Sequence, residues 1–142
     1  LHLCDRRQRQ MCIRDRYTDR KCTKKITSIK KGSKKNYTIY AKWSKVKVKK
    51  TTGLKVMNTK GKNLVVRYSK VSGAKGYQIT YATNSKFTKG KKVVNTTKRT
   101  KTIQKLKKGK TYYVRVRAYK KDSTGRKVYG KYSTVKKIKI TK

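Results

Sequence analysis

Glutamate and proline are absent from this 142-residue chain, and its only acids are four aspartates, set against 46 lysines and arginines. A formal charge of +42 cannot be neutralised by internal ion pairs. It leaves a single-sign field that works against a compact state and attracts polyanions. Histidine occurs once, at His2, and residues 17–142 hold two aspartates (Asp19 and Asp122), one cysteine (Cys22) and no histidine. Paired carboxylates, nucleophile–base triads and metal clusters need groups that are missing here. The chain therefore reads as no enzyme, with no catalytic, metal-binding or cofactor-binding residue to assign. Cys4, Cys12 and Cys22 show neither a pairing pattern nor the C-x₂-C spacing of a zinc site. Long apolar runs are missing too. Nothing approaches the ~20 apolar residues of a membrane-spanning helix, and the N-terminus has no apolar signal-peptide core.

Hydrophobic residues make up 33% of the chain, and composition alone would suggest a basic disordered tail. Patterning argues otherwise for the C-terminal part. From Tyr112, one face carries Tyr112, Val114, Val116 and Ala118, and the other Tyr113, Arg115, Arg117 and Tyr119. Such period-two alternation is that of a half-buried strand. Lysine at alternate positions can lay its stem along apolar surface while its ammonium stays in water, and it blunts sheet edges against aggregation. Glycines at 53, 61, 73, 76, 90, 109, 125 and 130 punctuate short alternating runs. Strands are predicted over 54–58, 63–69, 76–83, 92–96, 100–105, 111–120 and 127–140, an all-β, seven-stranded antiparallel sandwich. Inward positions are Leu54, Val56, Leu64, Val66, Tyr68, Tyr77, Ile79, Tyr81, Ile103, Leu106, Tyr112, Val114, Val116, Ala118, Val135 and Ile138. Gly109-Lys110-Thr111 ends like a phosphate-binding loop, but Gln104 stands where that motif needs glycine and a strand follows instead of a helix.

Leu106-Lys-Lys-Gly109 followed by Tyr112 and alternating apolar residues resembles the corner and penultimate strand of a fibronectin type III domain. The resemblance covers 53–142, through Leu64-Val-Val-Arg-Tyr68, Val71-Ser-Gly-Ala-Lys-Gly-Tyr-Gln-Ile79 and Gly130-Lys-Tyr-Ser133. It implies an immunoglobulin-like sandwich in which the Tyr112 hydroxyl bonds back to upstream backbone. Tyr68 stands where the family usually has tryptophan, and Lys108 where it often has proline. Residues 17–43, with Tyr17, Asp19 and Thr38-Ile-Tyr-Ala-Lys-Trp43, resemble the C-terminal half of an internalin B-type (Listeria–Bacteroides) repeat, an N-terminal β fragment. Trp43 is expected to be more exposed there than in an intact repeat. Residues 44–52 read as a lysine-rich linker. Residues 1–16 resemble translated sequencing adapter, because Arg6 to Asp15 matches one codon by codon. No structure is expected for them.

Arg115 and Arg117, flanked by Tyr113 and Tyr119, form the candidate polyanion-binding site, since interleaved arginines and aromatics can stack on bases or sugars. A solvated sheet face covered by its own cross-strand packing explains the same residues. The resemblances imply a non-catalytic spacer or adhesion module of a bacterial cell-surface or secreted repeat protein, extracellular, with neighbouring repeat domains. Two alternatives stand beside it. One is a polyanion-binding module that holds anionic cell-wall polymer, glycan or nucleic acid through diffuse charge, with no specific nucleic-acid sequence. The other is an accessory domain of a secreted glycan-degrading enzyme.

Overall fold

Period-two patterning becomes strand almost everywhere it is expected. The computed structural model describes residues 12–33, 36, 38–122 and 124–142, with strands and no helix among them. The chain divides into two compact units. One comprises the described residues up to Val46 together with Lys121–Arg126, the other Lys47–Lys120 and Lys127–Lys142.

In the first unit β1 (Cys12–Tyr17) pairs antiparallel with β2 (Tyr40–Lys45), Tyr17 opposite Tyr40 and Arg16 opposite Ala41. Asp15 forms an ion pair with Lys25 at 2.7 Å. The Asp19 carboxylate accepts hydrogen bonds from the Thr23 and Lys24 amides and the Thr23 hydroxyl, which closes the turn after β1. These bonds, the Lys24 amide foremost, hold its pKa below the ordinary value. The expectation that 1–16 lacks structure is therefore wrong for Cys12–Arg16. An adapter resemblance speaks to the origin of the residues, whereas a ladder is made by backbone N–H and C=O groups that nearly every residue carries. Residues 1–11, and the side chains of Ile13 and Trp43, lie outside the described residues.

The second unit is a sandwich. One sheet is three-stranded: β3 (Lys55–Thr59), β4 (Asn63–Arg67) and β7 (Thr100–Ile103), with β4 in the middle. The other has the order β10 (Lys136–Lys139), β8 (Thr111–Lys121), β5 (Gly76–Ala82), β6 (Lys92–Thr96), and β9 (Lys127–Tyr129) also pairs with β8. The pairings given for both sheets are antiparallel. Between the sheets lie Leu64, Val66, Ile79, Val114, Val116, Ala118 and Ile140, all fully buried, with Tyr68, Tyr77, Tyr81 and Tyr112 filling the ends. Burial pushes the Tyr68 phenol well above its usual pKa, and its hydroxyl donates to the Lys98 carbonyl at 2.8 Å. The corner forms as the resemblance implied. Lys107 N–H donates to the Tyr112 hydroxyl at 3.2 Å.

Three expectations change. The residues expected as a linker over 44–52 are shared out: Ser44 and Lys45 end β2, and the sandwich begins at Lys47. Val48 packs against its core, Thr51 is fully buried and the Thr52 carbonyl accepts from Ser69 N–H. Val48 and the buried Thr51 tie this stretch to the sandwich. The single strand expected over 127–140 is interrupted between β9 and β10. Val135, expected inside, is 45% exposed. Ile138 and Ile140 point inward, and the strand period then sends the odd positions out.

The interruption keeps β8 satisfied by other means. Gly130 N–H donates to the Ala118 carbonyl, and Ser133 N–H to that of Val116. The Ser133 hydroxyl accepts from Val116 N–H at 3.1 Å, where a ladder carbonyl would have stood. Gly130 itself cannot be larger. A Cβ there would sit 2.8 Å from the Lys49 carbonyl oxygen and 3.0 Å from Val48 Cγ1.

Candidate functional site

Alternation along β8 sends Tyr113, Arg115, Arg117 and Tyr119 to the outer face of the larger sheet, where β5 and the 127–135 segment flank them. Cross-strand register sets the rows. Gln78 stands opposite both Arg117 and Asn95, and Thr80 opposite Arg115. The loop after β5 is tied by Asn84, whose Oδ1 accepts from the Thr88 and Lys89 amides at 3.0 and 2.9 Å. Within that turn Phe87 takes φ = +57° and is buried. Its ring covers Arg115.

The result is a ladder of alternating rings and guanidinium groups. Arg115 Cζ lies 4.0 Å from the ring centroids of both Phe87 and Tyr132. Arg117 Cζ lies 3.9 Å from Tyr129 and 4.6 Å from Tyr132. The order is Phe87, Arg115, Tyr132, Arg117, Tyr129. It is extended by Tyr119, edge-on to Tyr129 at 5.8 Å, with the Lys127 ammonium 5.0 Å from the Tyr119 ring. Arg117 Nε donates to Gln78 Oε1 at 2.9 Å, and Gln78 Nε2 to the Tyr129 hydroxyl at 3.3 Å. Arg115 Nε is buried and has no hydrogen-bond partner among the described residues.

Electrostatics explains the construction. Asp122 is the one acid in residues 47–142. Its carboxylate accepts from the Thr124 hydroxyl and the Thr124 and Arg126 amides, which hold its pKa down, the Thr124 hydroxyl first. Among the described residues, no carboxylate forms an ion pair with either arginine. The negative faces of aromatic rings take the counter-ion's place.

Arg115 and Arg117 are thus brought together with aromatic rings, as the sequence suggested, but the rings are different ones. Tyr119 reaches the ladder only through Tyr129. Tyr119 is also packed over Gly76, where a Cβ would lie 2.5 Å from the Tyr119 hydroxyl. Tyr113 stands opposite Ala82 and Lys137, outside the ladder. Both faces of each guanidinium are already covered by the chain's own rings, so neither offers a free plane for a base or sugar. Phe87, Tyr129, Tyr132 and Gln78 were not legible as members. A continuous strand over 127–140 would put Tyr129 and Tyr132 on opposite faces, and only the interruption puts both against β8. The one visible signal was the lone phenylalanine of the chain in an otherwise polar loop.

A family model described as the fibronectin type III domain matches residues 48–131. Among solved structures, an Fn3-like protein from Clostridium thermocellum aligns at 22% identity over 65% of this chain and 92% of that one, with a TM-score of 0.51. The chicken CNTN1 FN1-FN3 domains align at 22% identity over 75% of this chain and 38% of that one, TM-score 0.57. The FN5 domain of Drosophila Lar aligns at 15% identity over 67% and 98%, TM-score 0.52. No curated protein matches the chain.

Proposed function

Since the chain belongs to the fibronectin type III family, we propose that it is a non-catalytic spacer or adhesion module of a bacterial cell-surface or secreted repeat protein. One observation carries the spacer reading. The chain enters and leaves the sandwich at opposite poles. Thr52 is bonded to Ser69, beyond the end of β4. At the other pole Lys62 N–H donates to the Lys142 carbonyl, and Asn58 Oδ1 accepts from the Thr141 and Lys142 amides at 2.8 and 3.0 Å. A module threaded pole to pole adds its own length to an array and need not contact a ligand to do so. The outer-face ladder supports the same reading, because its cations are stacked internally.

Spin labels at Lys49→Cys and Lys142→Cys, with Cys4, Cys12 and Cys22 changed to Ser, test this. A single narrow distance that polyanions leave unchanged is expected. A broad or short distribution would sink the spacer reading. For residues 17–43 we keep the internalin B-type half-repeat, supported by β2 at the expected closing strand. Resequencing the source DNA across codons 1–17 tests the adapter origin of 1–16.

A further inference from the structure

Beside the end of β5, the start of β6 and the β7–β8 turn, the gap between the sheets opens into a cleft of about 340 Å³. Tyr81 and Tyr112 form its inner wall, their ring centroids 6.2 Å apart, and Leu106 adds apolar surface. Lys92, Lys105, Lys107 and Lys110 also line it, from the start of β6 and the β7–β8 turn, and all four are exposed. Four exposed lysines thus line one opening, and no aspartate is among its lining residues.

Lys105 adds a second observation. It holds φ = +57°, a left-handed conformation that strains an L-residue and glycine hardly at all. The backbone on either side is anchored, by buried Ile103 and by Leu106, whose N–H donates to the Lys62 carbonyl at 3.1 Å. A lysine is therefore held at the rim in a conformation that glycine would adopt without strain. Stability does not explain a lysine there.

We propose that this cleft binds a phosphate-bearing sugar unit. The ammonium groups act as point charges for a phosphate. The uncharged lining includes Gln104 and Thr83, whose hydroxyl donates to the Lys89 carbonyl at 3.1 Å and keeps its acceptor capacity, and it suits a polyhydroxylated body. The volume lies at the low end of the roughly 300–1,000 Å³ typical of ligand pockets, enough for one sugar. This goes beyond the spacer reading, and its failure would leave that reading intact.

The test is a titration of the full ¹⁵N-labelled chain with glucose 6-phosphate, glucose and inorganic phosphate. Glucose 6-phosphate should give saturable shifts confined to the amides around Thr83 and 104–110. Inorganic phosphate should bind more weakly and glucose not at all. Lys107→Gln with Lys110→Gln should weaken binding about tenfold, at about threefold per lysine. Lys136→Gln with Lys137→Gln, on β10, should change it by less than about twofold. Lys105→Gly should weaken binding while the melting temperature holds or rises, which separates lost affinity from lost fold. Shifts spread over the whole domain, or equal losses from the two double variants, would overturn the site in favour of diffuse charge. Equal affinity for inorganic phosphate would overturn the sugar component. So would loss of stability in Lys105→Gly with unchanged binding.

Discussion

The two faces of β8 are closed by different physics. Toward the core, Val114, Val116 and Ala118 lose all contact with water, and their stabilisation is non-directional, scaling with apolar area. On the outer face, Arg115 and Arg117 are held by ring planes at 3.9–4.6 Å. That arrangement works only if a flat cation meets a flat ring. The inner face asks for volume and the outer face for shape. A chain with almost no acid has thereby packed two cations side by side without a counter-ion.

The largest effect should come from the inner side. Ile79→Ala empties the fully buried centre of the core and should cost about 2–5 kcal/mol in chemical denaturation. Arg117→Ala, on the other face of the same sheet, removes two ring contacts and the bond to Gln78. About 1–2 kcal/mol is expected. Arg117→Lys should recover little of this, because an ammonium keeps the charge but not the plane. A neutral Arg117→Ala would break the comparison and reduce the outer face to solvated decoration.

Neighbouring tyrosines sharpen it further. Tyr112→Phe leaves Lys107 N–H without its acceptor and should cost about 1 kcal/mol. Tyr113→Phe, outside both core and ladder, should fall within about 0.5 kcal/mol of zero. Equal costs would mean that the corner bond contributes nothing.

The smallest effect is read against pH and should fade as the solution becomes alkaline. Burial raises the Tyr68 pKa above its ordinary 10.0, so its contribution is complete below about pH 10. It is lost as the pH rises from there through the folded value, because the unfolded phenol ionises first. The stability difference between wild type and Tyr68→Phe should therefore shrink above about pH 10. Lysine deprotonation is common to both proteins and cancels. A constant difference would show that Tyr68 ionises as easily folded as unfolded.

The all-β class, most strand bounds and the core residues of β4, β5 and β8 were legible in the chain. A strand's period is a local property, and Leu64, Val66, Ile79, Val114 and Val116 obey it without reference to anything distant. The same holds for Tyr112, whose corner bond spans five residues. The composition likewise required that most cations go without a carboxylate. Which rings would serve them was decided only in three dimensions. Tyr129 and Tyr132 share a face because the strand breaks after Tyr129, and Ser133 replaces a ladder carbonyl with its hydroxyl. Phe87 arrives from a loop that Asn84 bends. Val135 is outside because Ile138 and Ile140 set the register of β10, and Cys12–Arg16 became strand because β2 offered it a free edge. The rings that meet β8, and the pairing of Cys12–Arg16 with β2, depend on partners distant in sequence. A pattern read along one strand carries no information about what lies across from it.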